Sequence, residues 1–175
     1  MQPISRKEVL AELQRREAND EHIDRRLWSE VEAPGEMFLG VLTQEQFLNL
    51  IWQEADPARL LTPAGAPRTL RDVGRRLLAS GRSFESLAGP LELPRSQHHP
   101  EWFVPCVDID QGFDFTRFGW LALTPATTPE RQQSPLGSYY IFDGIHKSLV
   151  LSKRILNESV TYQPVTALLL TPRRA

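Results

Sequence analysis

The sequence has little of what marks secreted and membrane proteins. It contains a single cysteine, Cys106, so no disulfide can form within the chain and a reducing compartment is expected. No apolar run approaches the roughly 20 residues that a membrane span needs, and the segment from Met1 to Asp20 is too charged for a signal peptide. We therefore expect a cytoplasmic protein that does not insert into a membrane.

The chain also lacks an excess of charge of either sign. Lysine and arginine number 20 and aspartate and glutamate 22, which gives a formal net charge of −2. Contact with nucleic acid would therefore need a local basic patch. Hydrophobic residues make up 41% of the 175 residues, which is ordinary for a soluble globular protein with one core.

Helix signals dominate the first third of the chain. Capping-box spacings begin helices at Ser5 and Thr43, where a hydroxyl and a side chain three residues later satisfy the first free backbone donors. Residues 62–67 are rich in proline and can separate two regions. We predict a helical N-terminal extension over residues 1–61 and a core over residues 62–175, packed as one compact unit.

The second half alternates between helix and strand patterns. Thr69 is a suitable cap for a helix that ends before Gly81, and the continuous apolar run from Val165 to Leu170 predicts a strand covered on both faces. The stretch from Thr124 to Gly137 has no periodicity and is predicted to be a loop that covers the site as a lid. The alternation predicts an α/β fold.

One stretch has the residue types of an anion-binding turn. A run of β-type residues ends at Asp143 and Gly144, and a helix-compatible segment that contains His146 and Lys147 follows. The first turn of a helix offers unpaired backbone N–H groups and the positive end of its dipole, and glycine admits a phosphate close to the main chain. The alternative is an ordinary turn in which the glycine only satisfies a backbone angle.

The segment Asp143-Gly144-Ile145-His146-Lys147 resembles the D-G-x-H-R/K signature of the ParB/sulfiredoxin superfamily, in which the histidine and the basic residue contact nucleotide phosphates. The superfamily helix L-x-x-S-I-x-x-x-G has a counterpart in residues 70–81, which keep its apolar spacing and closing glycine but lack its Ser-Ile pair. The resemblance implies a small mixed sheet with packed helices. Within the superfamily the chain looks most like the Osa-type fertility-inhibition proteins of conjugative plasmids.

The resemblance also implies a nucleotide site and an activity. It places nucleotide phosphates at the turn and the helix start, on Gly144, Ile145, His146, Lys147 and Ser148, and catalysis on Asp143, His146 and Lys147. The implied activities are ATP hydrolysis with Mg²⁺ and DNA cleavage, in an inhibitor of transfer through a type IV secretion system. Sulfiredoxin chemistry is excluded, because Ile145 stands where those enzymes have their catalytic cysteine.

The densest basic patch of the chain includes Arg82 and four arginines that are the predicted DNA contacts: Arg68, Arg71, Arg75 and Arg76. They follow neighbouring stripes of the helix predicted after Thr69. Such a patch can contact the phosphates of DNA, which makes binding dependent on salt and largely independent of base sequence. The alternative is a solvated helix face.

Two carboxylates, Asp108 and Asp110, are the predicted metal ligands. They follow the apolar segment from Trp102 to Val107 and share a face if that segment is a strand that continues. Carboxylates of this kind can hold Mg²⁺ beside a phosphate. The alternative is a polar strand end and a turn at Gly112.

These patterns favour two functions of different classes. The first is a phosphohydrolase that binds ATP, Mg²⁺ and DNA. The second is a non-enzymatic adaptor that docks its N-terminal helices on a secretion, coupling or partition protein, with the turn at Gly144 serving as a structural junction or a nucleotide switch. Convergence of Lys147 and a carboxylate on one cleft would favour the enzyme, and their separation would favour the adaptor.

Overall fold

Five strands form one mixed sheet with helices on both faces. The computed structural model describes residues 1–19, 23, 25–32, 35–52, 61, 68–90, 98–125 and 139–172. The strands are β1 (Gln2–Pro3), β2 (Gly35–Leu42), β3 (Leu121–Pro125), β4 (Tyr139–Asp143) and β5 (Val165–Pro172). The helices are α1 (Arg6–Ala18), α2 (Arg25–Glu32), α3 (Gln44–Leu48), α4 (Leu70–Ala79), α5 (Phe84–Ala88), α6 (Pro100–Gln111) and α7 (Ile145–Leu156). The predicted α/β class is confirmed.

The strands lie in the order β1-β2-β5-β3-β4. β5 runs parallel to β3, and the other neighbouring pairs are antiparallel. Beyond β4, Ile51 forms isolated bridges to Tyr140 on one side and to Thr69 on the other. The residues just before α4 are thereby held near the strand that leads to Gly144.

β5 lies in the middle of the sheet and is buried on both faces. Ala167 and Leu169 belong to the core covered by α3 to α7, whereas Leu168 and Leu170 belong to the core covered by α1 and α2. Burying a large aliphatic side chain stabilises the fold by about 1.5–3 kcal/mol, so a strand with two covered faces favours an unbroken apolar run. The prediction of a strand covered on both sides is confirmed.

The first 61 residues supply strands as well as helices. The sequence predicts a helical extension, but β2 pairs with β5 along its whole length and β1 adds a short outer strand. Gly35 and Gly40 obscure the strand pattern of β2, because glycine is depleted in strands. The Pro-rich residues 62–67, predicted as a boundary, lie outside the described residues.

The segment from Trp102 to Val107 is helical, which corrects the strand prediction. α6 begins with Pro100, whose missing N–H costs no hydrogen bond at the first helical position. Its inner face buries Phe103 and Cys106, which are three residues apart. Residues two positions apart on a helix point about 200° from each other. The aspartates at positions 108 and 110 therefore lie on different faces.

Capping chemistry fixes the helix starts as predicted. Ser5 and Thr43 each form a complete capping box, and Thr69 accepts a hydrogen bond from a backbone N–H in the first turn of α4. Gly81, with φ of +64°, follows the end of α4. At the predicted lid, β3 extends to Pro125, and residues 126–137 lie outside the described ranges.

Candidate functional site at the start of α7

Gly144 joins β4 to α7 in a conformation that other residues avoid. It is the N-cap of α7, with φ of +93° in the left-handed region. A Cβ atom at this position would lie 2.6 Å from Leu121 Cδ2 and 2.7 Å from Lys147 Cε. The predicted order of strand, turn and helix is confirmed, and both the backbone angle and the lack of space require glycine.

Ser148 is fixed inside the first turns of α7. Its side chain is fully buried, and its hydroxyl donates to the carbonyl oxygen of Gly144 at 2.7 Å. The backbone N–H of Ser148 donates to the same oxygen at 3.0 Å. The hydroxyl that the resemblance assigns to a phosphate is therefore bonded within the helix in this structure.

The Lys147 ammonium group lies against the start of β3. Its Nζ donates to the carbonyl oxygens of Phe118 at 2.6 Å and of Trp120 at 2.8 Å, and lies 5.2 Å from the centroid of the Phe118 ring. Carbonyl oxygens and aromatic faces both stabilise an ammonium group. The positive charge that the resemblance assigns to phosphate contact is thus bonded to main-chain oxygens.

His146 belongs to a row of aromatic rings. Its ring centroid lies 4.2 Å from that of Trp102, which in turn makes edge contacts with Trp52 at 5.4 Å and Phe103 at 5.0 Å. Trp52 is fully buried, so it holds Trp102 from the core side. Three separate segments supply these rings, and no spacing pattern links them. The sequence alone therefore does not predict the row.

α6 and α7 run side by side in the same direction. Trp102 near the start of α6 meets His146 near the start of α7, and Asp110 near the end of α6 bonds Lys153 and Arg154 near the end of α7. Aligned peptide dipoles place roughly half a positive charge at the N-terminus of each helix. The two positive ends lie next to each other, which favours an anion at the His146 end.

The predicted metal ligands lie apart from one another. Asp110 accepts hydrogen bonds from Lys153 Nζ at 3.2 Å and Arg154 Nε at 2.7 Å, whereas Asp108 is exposed. Asp143 is the last residue of β4 and is partly buried. Within the described parts of the chain, no group of three or more His, Cys, Asp or Glu side chains could hold a metal ion. The helix thus separates the two predicted ligands, and Asp110 is engaged by two cations.

Two further titratable side chains near these aspartates have shifted pKa values. Hydrogen bonds from the hydroxyl and the backbone N–H of Thr116, at 2.7 and 2.9 Å, lower the pKa of Asp114. Burial raises the pKa of the Cys106 thiol far above its usual range, and the Asp110 carboxylate adds to the increase. Asp114 thus caps a short 3₁₀ turn, and Cys106 is not an activated nucleophile.

The arginine patch is partly engaged in bonds within the protein. Arg71 donates to the carboxylate of Glu45 at 2.5 Å, and Arg76 donates to a main-chain carbonyl oxygen at 3.1 Å. Arg68 is partly buried just before α4, and Arg75 is exposed. Of the four predicted DNA contacts, Arg75 is thus the most accessible.

The described residues thus form a mixed α/β fold whose sheet has five strands. No family model, no curated protein and no solved structure matches the chain. Across the residues that the structure describes, no helix is long and apolar enough to cross a membrane.

Proposed function

We propose that the chain binds a nucleotide through its phosphates where β4 meets α7, in the manner of the ParB/sulfiredoxin superfamily. The main support is the parallel packing of α6 and α7, which places two positive helix ends side by side at the Trp102–His146 contact. Bound phosphate oxygens are stabilised by such ends through backbone N–H groups and the helix dipoles. His146 adds a ring that can donate a hydrogen bond at the same place.

The proposed activity is ATP hydrolysis. The N–H groups of the first turn of α7 would hold the phosphate oxygens, and His146 would stabilise charge that develops on the transferred phosphoryl group. Asp143 is the last residue of β4, next to this turn, and would orient the attacking water. Mg²⁺ would offset phosphate charge when it enters with ATP. Asp108 and Asp110, on different faces of α6, would not hold one ion between them.

The resemblance extends this proposal to DNA and to a cellular role. On that reading the protein cleaves DNA and inhibits conjugative transfer through a type IV secretion system. Arg75 supports a DNA contact because it is exposed on α4. DNA binding through these residues should weaken steeply as the salt concentration rises.

A second candidate function is the non-enzymatic adaptor, which the Lys147 contacts favour. The ammonium group of Lys147 is bonded to the carbonyl oxygens of Phe118 and Trp120, as expected of a structural residue. In that case the turn at Gly144 only connects a strand to a helix, and α1 and α2 contact a secretion, coupling or partition protein.

Calorimetric titration with MgATP, followed by phosphate release in the same samples, separates the two candidates. We expect saturable binding and turnover in the wild type, and loss of both in His146→Ala. The matched control is Asn157→Ala, at the opposite end of α7, which should bind like the wild type. A folded wild-type protein that binds neither MgATP nor tripolyphosphate would exclude the nucleotide proposal and leave the adaptor.

A further inference from the structure

Lys147 connects the start of α7 to the segment 118–120, which directly precedes β3. Its ammonium group bonds the carbonyl oxygens of Phe118 and Trp120, which flank Gly119. Gly119, between the two acceptors, has a left-handed backbone with φ of +65°. We call these two hydrogen bonds the Lys147 latch.

The side chain of Lys147 crosses directly over Gly144. A Cβ atom on Gly144 would lie 2.7 Å from Lys147 Cε and 3.7 Å from Lys147 Cγ. The space that the missing side chain leaves at the helix start is thus filled by the lysine stem. A ligand that approached the main chain at Gly144 would meet this stem, so the latch and a closely bound phosphate compete for one place.

We propose that the Lys147 latch is an autoinhibitory contact that nucleotide binding opens, an inference that rests on the proposed nucleotide site. A phosphate oxygen is a stronger acceptor for an ammonium group than a neutral carbonyl, so a bound nucleotide draws Lys147 away from β3. The carbonyl oxygens of Phe118 and Trp120 then lose their charged donor. Occupancy of the site is thereby coupled to the order of segment 118–120.

Segment 118–120 is well placed to transmit this change. Phe118 packs against Phe47 at 6.5 Å and Phe115 at 5.8 Å between ring centroids, so its ring belongs to the core. The next residue after this segment, Leu121, begins β3 and pairs with β5. Opening the latch therefore loosens the entry to an internal strand of the sheet.

Hydrogen–deuterium exchange measured by mass spectrometry tests the latch. In the wild type, MgATP should speed exchange in peptides that contain residues 118–121. Lys147→Met keeps most of the stem but lacks the ammonium group, so its exchange there should be fast already and should not change with MgATP. Lys153→Met, near the other end of α7, is the matched control and should behave like the wild type in this segment.

A second variant weakens the latch while keeping Lys147. Gly119→Ala strains the left-handed residue that lies between both acceptors. Because the closed state is then less stable, MgATP should bind several-fold more tightly than to the wild type. Gly81→Ala is the control, because Gly81 has a similar φ of +64° outside the latch and nothing within 4 Å of an added Cβ. Its affinity for MgATP should be that of the wild type.

The outcomes separate the two proposals. Saturable MgATP binding with unchanged exchange at residues 118–121, or with no tighter binding by Gly119→Ala, would overturn the latch and leave the nucleotide site standing. A wild type that binds no nucleotide would overturn both. Faster exchange on binding, absent from Lys147→Met, would support both.

Discussion

Gly74 on α4 packs so closely against Ser152 on α7 that an added Cβ atom would lie 3.0 Å from the Ser152 hydroxyl and 2.7 Å from Leu156 Cδ1. Both Gly74 and Ser152 are buried, so the two helices can approach there only with small residues. We expect Gly74→Val to destabilise the protein by about 1–3 kcal/mol through overpacking, measured by urea denaturation. Arg75→Val, at the exposed neighbouring position, is the control and should change stability much less.

Two left-handed glycines should respond differently to the same substitution. In Gly144→Ala the new Cβ atom contacts Leu121 and Lys147, and the residue keeps an unfavourable positive φ. In Gly81→Ala only the unfavourable φ applies. The left-handed backbone costs about 1–2 kcal/mol in each case, and overpacking adds to the cost at Gly144 alone. Thermal denaturation of both variants should therefore rank Gly144→Ala as the less stable. Equal losses would contradict the close packing at the start of α7.

Much of the fold follows from local patterns that the sequence displays. The caps at Ser5, Thr43 and Thr69 and the glycine after α4 depend on neighbours three or four residues away, so their spacing can be read directly. The apolar run of β5 is also a local signal. A strand that is covered on both faces is apolar at every position, whichever elements cover it. These elements were predictable for that reason.

The contacts at the candidate site are not local. Lys147 bonds carbonyl oxygens 29 and 27 residues away, and Asp110 bonds side chains 43 and 44 residues away. The sequence also did not reveal that residues 102–107 are helical, since a short apolar run fits a strand as well as a buried helix. A sequence motif can therefore suggest the turn at Gly144, but the partners of Lys147 emerge only from the tertiary structure.

Asp110 links the ends of α6 and α7, and its charge should matter for stability. The side chains of Asp110 and Lys153 are each 17% exposed and that of Arg154 is 26% exposed, so the bonds are partly shielded from water. We expect Asp110→Asn to destabilise the protein by about 1–3 kcal/mol, because the two cations lose a charged acceptor. The exposed Asp108 offers a control, since Asp108→Asn should cost less than about 0.5 kcal/mol.

The same pair of variants tests the magnesium prediction for α6. If Asp108 and Asp110 bound Mg²⁺ together, the ion would raise the melting temperature of the wild type without nucleotide, and each variant would lose that increase. Because the two side chains lie on different faces, we expect no such increase. A magnesium-dependent rise that either variant abolishes would contradict the described geometry.

Glu158 has a left-handed backbone that glycine adopts at lower cost. Its φ is +60°, and it lies exposed just after the C-cap of α7. We expect Glu158→Gly to stabilise the protein by up to about 1 kcal/mol, because the strain of the left-handed residue is relieved. Glu158→Ala removes the carboxylate but keeps the strain, so its denaturation midpoint should stay below that of Glu158→Gly.

Cys106 should be unreactive in the folded protein and should make stability fall at alkaline pH. Burial raises the pKa of its thiol, so little thiolate exists in the native state even at pH 9. In the unfolded chain the thiol has a pKa of about 8.5. Above that pH, ionisation of the thiol stabilises only the unfolded state. The free energy of unfolding therefore falls by about 1.4 kcal/mol per pH unit.

The measurement is urea denaturation from pH 7 to pH 10 for the wild type and for Cys106→Ala. Other groups also titrate in this range, but they contribute equally to both proteins, so the difference between the two curves isolates the thiol. We expect the wild type to lose stability relative to Cys106→Ala as the pH rises above ~8.5, and a thiol reagent to label Cys106 only after urea unfolds the chain. Parallel curves, or rapid labelling of the native protein, would place Cys106 outside the core. Either result would contradict the packing of α6 against the core.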